Sequence, residues 1–94
     1  MVSTAVYQGL TRFAKELSHE SSVTVKDEEI ISKTFLFTYT SSTRLEEIKN
    51  ELSEIYGIME RRKVSDSKLA HLSFISLKAT RVIDKELIRR EDLF

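Results

Sequence analysis

The spacing of apolar residues predicts an amphipathic helix at the start of the chain. Its apolar positions recur at intervals of three or four residues: Val6, Leu10, Phe13 and Leu17. This spacing places the four side chains on one face of an α-helix. Ser3 or Thr4 is available as the N-cap, and the polar segment 18–22 is expected to end the helix.

A second amphipathic pattern predicts a helix from about Thr43, with apolar positions Leu45, Ile48, Leu52, Ile55 and Met59. Thr43 followed by Glu46 matches a capping box, and Gly57 is placed to end the helix in a left-handed conformation. Glu46 and Glu47 bring negative charge to the first turn, which suits the helix dipole and repels a bound phosphate. The hydroxyl-rich segment 40–43 is therefore predicted to cap a helix rather than to bind an anion.

Between these helices, the segment 22–40 has the period-two alternation that is typical of β-strands. Val23 and Val25 flank Thr24, and further along Phe35, Phe37 and Tyr39 alternate with hydroxyl and aliphatic residues. The charged segment 26–29 is the expected turn. The pattern predicts two strands, or one interrupted strand, with an aromatic face toward the helices.

The segment 67–83 is compatible with either a strand or a helix. Alternation around Leu72 and Phe74, together with the serine and β-branched content, favours a strand. A helical stripe is also present, at Leu69, Leu72, Ile75, Ala79, Val82 and Ile83. We favour the strand, and residues 84–92 are helical in either case.

The predicted order of elements is therefore α-β-β-α-β-β-α. This order predicts one small α+β domain over residues 1–94, with an antiparallel sheet carrying two to three helices packed on one face. A chain of 94 residues corresponds to a single domain with one modest core.

Composition excludes several kinds of chemistry. The chain has no cysteine, so it has no disulfide, thiolate nucleophile or thiolate-bound zinc. Its only glycines, Gly9 and Gly57, are too few for a glycine-rich phosphate loop. No apolar run approaches the length of about 20 residues that spans a bilayer, and the N-terminus lacks the pattern of a secretory signal. We expect a cytoplasmic protein, or a nuclear one if the source is eukaryotic, with no membrane contact.

The sequence offers no constellation for catalysis or metal binding. His19 and His71 are far apart and neither lies in a metal-binding frame. The carboxylates lie mainly in charged runs that are typical of solvated faces. We predict no catalytic residue, metal or cofactor, and no enzymatic activity.

Charge is distributed unevenly along a chain whose formal net charge is zero. Basic residues are concentrated from position 61 to position 90, an asymmetry that suggests a polyanion partner or self-association. The candidate polyanion-binding residues are Arg61, Arg62, Lys63, Lys68, Arg81, Arg89 and Arg90. The alternative interpretation is a solvated basic edge.

Small domains with a modest core often complete their apolar burial against a second copy. The candidate interface residues are Phe35, Phe37, Tyr39, Leu93 and Phe94. The first functional hypothesis is therefore a small non-enzymatic interaction or regulatory protein that acts through protein–protein contacts as a homodimer or with another protein partner. The alternative is a nucleic-acid-binding protein that uses the basic region 61–90.

Overall fold

The computed structural model describes residues 4–13, 16–18, 22–62 and 67–92, and this part of the chain is helical. Its elements, in chain order, are α1 Thr4–Phe13, α2 Val25–Thr34, a 3₁₀ turn Phe37–Tyr39, α3 Ser42–Arg62 and α4 Ser67–Glu91. The described residues contain no strand. The predicted α+β fold with an antiparallel sheet is therefore wrong, and the protein is a small helical bundle.

The segment predicted as two strands forms α2 and the 3₁₀ turn, and α2 begins where the charged residues cap a helix rather than make a turn. The Oγ1 atom of Thr24 accepts a hydrogen bond from the Asp27 amide at 3.1 Å, and Oδ2 of Asp27 accepts one from the Thr24 amide at 2.9 Å. This is a complete capping box, with Asp27 and Glu28 both in the first turn. Acidic residues there complement the positive end of the helix dipole.

The segment 67–83 belongs to the long helix α4, so the strand that we favoured is wrong and the alternative helix is correct. Leu72, Ile75 and Ala79 of the helical stripe are buried, and so are Val82 and Ile83. Serine is tolerated on this face because the Ser76 hydroxyl donates to the Leu72 carbonyl at 2.8 Å. The buried Ser76 hydroxyl therefore has its hydrogen-bond partner within the same helix.

Helix α3 is confirmed, but both of its ends differ from the prediction. The N-terminal cap is Ser41, whose Oγ accepts a hydrogen bond from the Arg44 amide at 3.1 Å. The helix is therefore capped two residues earlier than predicted, and the predicted capping box of Thr43 and Glu46 is wrong. Gly57 does not end the helix, which continues to Arg62, and no glycine has a positive φ angle. The hydroxyl-rich segment before α3 does provide its cap.

The core lies between the α3–α4 pair, which makes the most extensive contact in the bundle, and the shorter helices α1 and α2. The stripe predicted for α1 is confirmed at Val6, Leu10 and Phe13, which are buried. The helix ends at Phe13, earlier than the predicted end in segment 18–22, and Leu17 is buried outside it. Phe13 meets Phe35 edge to face with ring centroids 5.9 Å apart. This aromatic pair joins α1 to the end of α2.

We expect Gly57→Ala to stabilise the protein by about 0.8–1 kcal/mol, the difference in helix propensity between glycine and alanine. Apart from its chain neighbours and the backbone of its own helix, a Cβ atom at position 57 would meet no atom within 4 Å. The free energy of unfolding, measured by chemical denaturation, checks this.

Gly9→Ala is the matched control, because a Cβ atom there would lie only 3.3 Å from Cγ2 of Thr34. This substitution should gain less than Gly57→Ala or lose stability. A loss of stability in Gly57→Ala would contradict the regular helical conformation assigned to residue 57.

Candidate functional site

Asp27 of α2 and Lys78 of α4 form an ion pair that is buried in the core. Oδ2 of Asp27 lies 2.9 Å from Nζ of Lys78, and the two residues are 0% and 2% exposed. Nζ of Lys78 also donates to the Ser18 carbonyl at 2.9 Å, and Oδ1 of Asp27 accepts from the Ser18 amide at 2.9 Å. The pair therefore joins α2, α4 and the connection that precedes α2.

Burial alone would raise the pKa of Asp27. The hydrogen bonds from Lys78 and from the backbone amides of Thr24 and Ser18 outweigh that effect and hold the pKa of this carboxyl well below its ordinary value of 3.8. Asp27 is therefore ionised throughout the physiological pH range. The ring of Phe74 lies beneath the ammonium group, with Nζ of Lys78 5.5 Å from the ring centroid.

This ion pair is closed to a substrate. Every buried side-chain nitrogen and oxygen atom in the described residues has a hydrogen-bond partner, so Asp27 and Lys78 have no buried group left unsatisfied for a ligand. The pair thus has a structural role. One signal in the sequence could have located it: Lys78 lies on the apolar face of α4 between Ile75 and Val82, where a charge requires a buried partner.

A second distinctive feature is the turn between α2 and α3, where the backbone of Leu36 is left-handed with φ 50° and ψ 54°. A leucine rarely adopts this conformation, and the hydrogen bonds around it hold the turn in place. The Thr40 hydroxyl donates to the carbonyls of Phe35 and Leu36 at 2.8 Å each. Nη2 of Arg90, from the end of α4, donates to the Phe37 carbonyl at 2.7 Å.

This turn carries exposed apolar side chains beside two shallow depressions. Leu36 is 59% exposed and Tyr39 is 86% exposed, and Val25 at the start of α2 is 73% exposed. A groove of about 310 Å³ between α2 and α4 is lined by Val25, Phe37 and Ser32, and a depression of about 230 Å³ on the turn shares Phe37 and Ser32 with it. We call Val25, Ser32, Leu36, Phe37 and Tyr39 the corner surface.

Four charged residues around the groove pair with one another, whereas a fifth, Glu29, forms no ion pair within the described residues. Nζ of Lys85 on α4 lies 2.6 Å from Oε1 of Glu28 on α2, so this ion pair bridges the two helices. Glu86 binds the guanidinium of Arg89, which lowers the pKa of Glu86. The groove thus has an apolar floor between paired charges and is open to solvent.

The predicted polyanion-binding residues do not form one described cluster. Arg61 is exposed in the last turn of α3, and Arg81 is exposed midway along α4. Arg89 is exposed near the end of α4, whereas Arg90 is half-buried and donates to the Phe37 carbonyl and the Ser42 hydroxyl. At about 1.5 Å per residue, roughly 32 Å of helix separates the Lys68 and Arg89 positions.

Some of the predicted polyanion-binding residues are only partly described. Arg62 and Lys68 have helical backbones at the facing ends of α3 and α4, with no description of their side chains, and Lys63 lies outside the described residues. The structure therefore assigns the described members of this set to different parts of the surface.

The predicted interface residues also separate, because the segment that carries them is not a strand. Phe35 is buried in the core, Phe37 is half-buried under the turn and Tyr39 is exposed. The three aromatic rings therefore share no common face, which corrects the predicted aromatic face of a sheet. Leu93 and Phe94 lie outside the described residues.

The described ranges contain no metal site and no membrane-spanning helix. No group of three His, Asp or Glu side chains there could hold a metal ion, and His71 stacks on Phe74 with centroids 6.5 Å apart. His19 is outside the described residues. Among the helices between residues 4 and 92, as far as they are described, none has the length and apolarity needed to cross a bilayer.

Comparison of the chain with protein-family models, with curated proteins and with solved structures gives no match.

We expect Lys78→Met to destabilise the protein by about 3–5 kcal/mol, because it leaves the Asp27 carboxylate buried without its partner. Lys85→Met, which breaks the exposed pair with Glu28, is the control and should cost less than about 1 kcal/mol. Chemical denaturation measures both values. Similar losses in the two variants would contradict the structural role of the buried pair.

The same pair predicts how stability depends on pH. Because folding lowers the pKa of Asp27, the stabilisation from this group is present above its ordinary pKa of 3.8 and is lost as the pH falls below that value. In Lys78→Met the pKa of Asp27 should rise, since only burial and the amide hydrogen bonds remain. Denaturation at a series of pH values should therefore show the wild-type advantage shrinking toward low pH.

Proposed function

We propose that the protein is a small non-enzymatic interaction domain that binds another polypeptide through the corner surface. The observation that carries this proposal is the left-handed backbone of the exposed Leu36, three residues before the still more exposed Tyr39. As the cysteine-free composition suggests, the proposed place of action is the cytoplasm.

Stability alone gives no reason for leucine at this position. The residue after a helix that adopts a left-handed conformation is usually glycine, and sometimes asparagine, because a larger side chain is strained there. Backbone strain of this kind costs on the order of 1–3 kcal/mol and is concentrated at functional sites. Since the Leu36 side chain gains little burial in return, a contact with a partner is the role that accounts for it.

The turn is also held rigidly enough to act as a preformed contact. The Thr40 hydroxyl binds two carbonyls of the turn, the Tyr39 amide donates to the Leu36 carbonyl at 2.9 Å, and Arg90 binds the Phe37 carbonyl. Apolar side chains on a preorganised backbone lose less conformational entropy when they bind. By contrast, the buried Asp27–Lys78 pair is engaged internally, which supports a binding role over an acid–base one.

We expect a photoreactive phenylalanine analogue at position 39 to cross-link a second polypeptide in cells that produce the protein. The same analogue at Gln8, an exposed residue of α1, is the matched control and should not give that product. Leu36→Asn should abolish the cross-link from position 39 because it removes the apolar contact. Gel mobility and mass spectrometry of the products provide the measurement.

Leu36→Asn should at the same time increase the free energy of unfolding, by about 1 kcal/mol, since asparagine tolerates the left-handed conformation better than leucine does. A gain in stability together with a loss of cross-linking separates a functional leucine from a structural one. Equal cross-linking from positions 8 and 39, or no polypeptide product from position 39, would overturn the proposed function.

A further inference from the structure

The exposed side of α2 has a symmetric arrangement of apolar and charged residues. Val25, Glu29 and Ser32 line the groove between α2 and α4, while Ser32, Lys33 and Leu36 line the adjoining depression on the turn. The apolar residues Val25 and Leu36 lie at opposite ends of this stripe. Glu29 and Lys33 lie between them, with the acidic residue nearer to Val25 and the basic residue nearer to Leu36.

The two charged residues of the stripe are available for a partner. Glu29 and Lys33 are exposed, and neither side chain forms an ion pair within residues 4–13, 16–18, 22–62 and 67–92. Their neighbour Glu28 differs, because Lys85 already binds it. The stripe therefore has one unpaired charge of each sign, separated by one helical turn.

A stripe with this arrangement is complementary to itself when two copies run antiparallel. A two-fold axis near the middle of α2 brings Val25 of each copy against Leu36 of the other. The same operation brings each Glu29 next to Lys33 of the other copy. Reciprocal contacts of this kind, in which one patch binds its own copy, define the interface of a two-fold dimer.

From this complementarity we infer that the polypeptide bound at the corner surface is a second copy of this chain, paired through antiparallel α2 helices. This inference rests on the proposed function and specifies its partner. The two apolar ends bury Val25 and Leu36, whose combined exposure is otherwise unexplained, and the two ion pairs set the register of the helices.

The remaining part of the corner surface fits the same arrangement. Tyr39 lies just beyond Leu36, so antiparallel pairing brings it beside Val25 of the second copy, at one end of the groove between α2 and α4. That groove has a volume of about 310 Å³ and an apolar floor that includes Phe37 and Val82. Each copy thus places an exposed aromatic side chain at the end of the other copy's groove, which enlarges a contact that a ten-residue helix alone would leave small.

The test is a charge exchange in the purified full chain, followed by analytical ultracentrifugation over a series of protein concentrations. Glu29→Lys and Lys33→Glu each place like charges opposite each other at two symmetry-related points. Each single variant should therefore weaken the dimer by about tenfold or more. The double variant, Glu29→Lys with Lys33→Glu, restores both ion pairs with the charges exchanged and should return the dimer to wild-type affinity.

Glu47→Lys, a charge reversal on the exposed face of α3, is the matched control and should leave the dimer unchanged. Circular dichroism of each variant establishes that the helices remain folded. A wild-type protein that stays monomeric at every concentration, or a double variant no better than the single ones, would overturn the inference.

Cross-linking from position 39 separates this failure from that of the proposed function. A product of twice the mass of the chain supports the second copy. A product that contains a different polypeptide leaves the proposed function standing and overturns the self-pairing, whereas the absence of any polypeptide product overturns both.

Discussion

The buried ion pair between Asp27 and Lys78 is the interaction on which the arrangement of the bundle depends. It lies where the start of α2, the middle of α4 and the connection at Ser18 converge. Asp27 and Lys78 bind each other, and both bind the backbone of Ser18, so the pair links all three. Two charges in a nonpolar interior are tolerated only when their remaining hydrogen-bonding positions are satisfied. The Thr24 cap and the two backbone groups of Ser18 meet this requirement. Because hydrogen bonds are directional, they fix the position of α2 on α4 together with apolar burial.

This constraint has a consequence for the surface. Because Asp27 and Ile31 face the interior, the opposite side of α2 must face solvent, and that side carries Val25, Glu29 and Lys33. The end of α2 is held in turn by Phe35, which packs on Phe13 in the core. Leu36 then follows with a left-handed backbone and points its side chain outward. The buried Phe35 and the exposed Leu36 are thus adjacent in the chain: Phe35 packs in the core, and Leu36 faces solvent.

The middle and the C-terminal end of α4 hold different parts of the molecule. Lys78 secures the start of α2, whereas Arg90 secures the turn before α3 through the Phe37 carbonyl and the Ser42 hydroxyl. Long basic side chains suit this task because they reach several acceptors from one helix. For Arg90, the basic charge that the sequence associates with a polyanion is used in part to hold the corner surface in shape.

The sequence by itself determined α1 and α3, because their apolar positions keep helical spacing over several turns and no competing pattern is present. It also determined the absence of cysteine chemistry and of glycine-rich phosphate loops. The tertiary structure decided α4 and the segment after Thr34, whereas α2 begins at a local signal, the capping box of Thr24 and Asp27. The alternation from Thr34 to Thr40 and the serines near Ser73 favour a strand locally, whereas Phe35 and Ile75 reach a common core from a turn and from a helix. Tertiary packing outweighs such local preferences, since propensities differ by less than burial contributes. The Asp27–Lys78 pair and the corner surface likewise depend on contacts between residues far apart in the chain, which no local pattern contains.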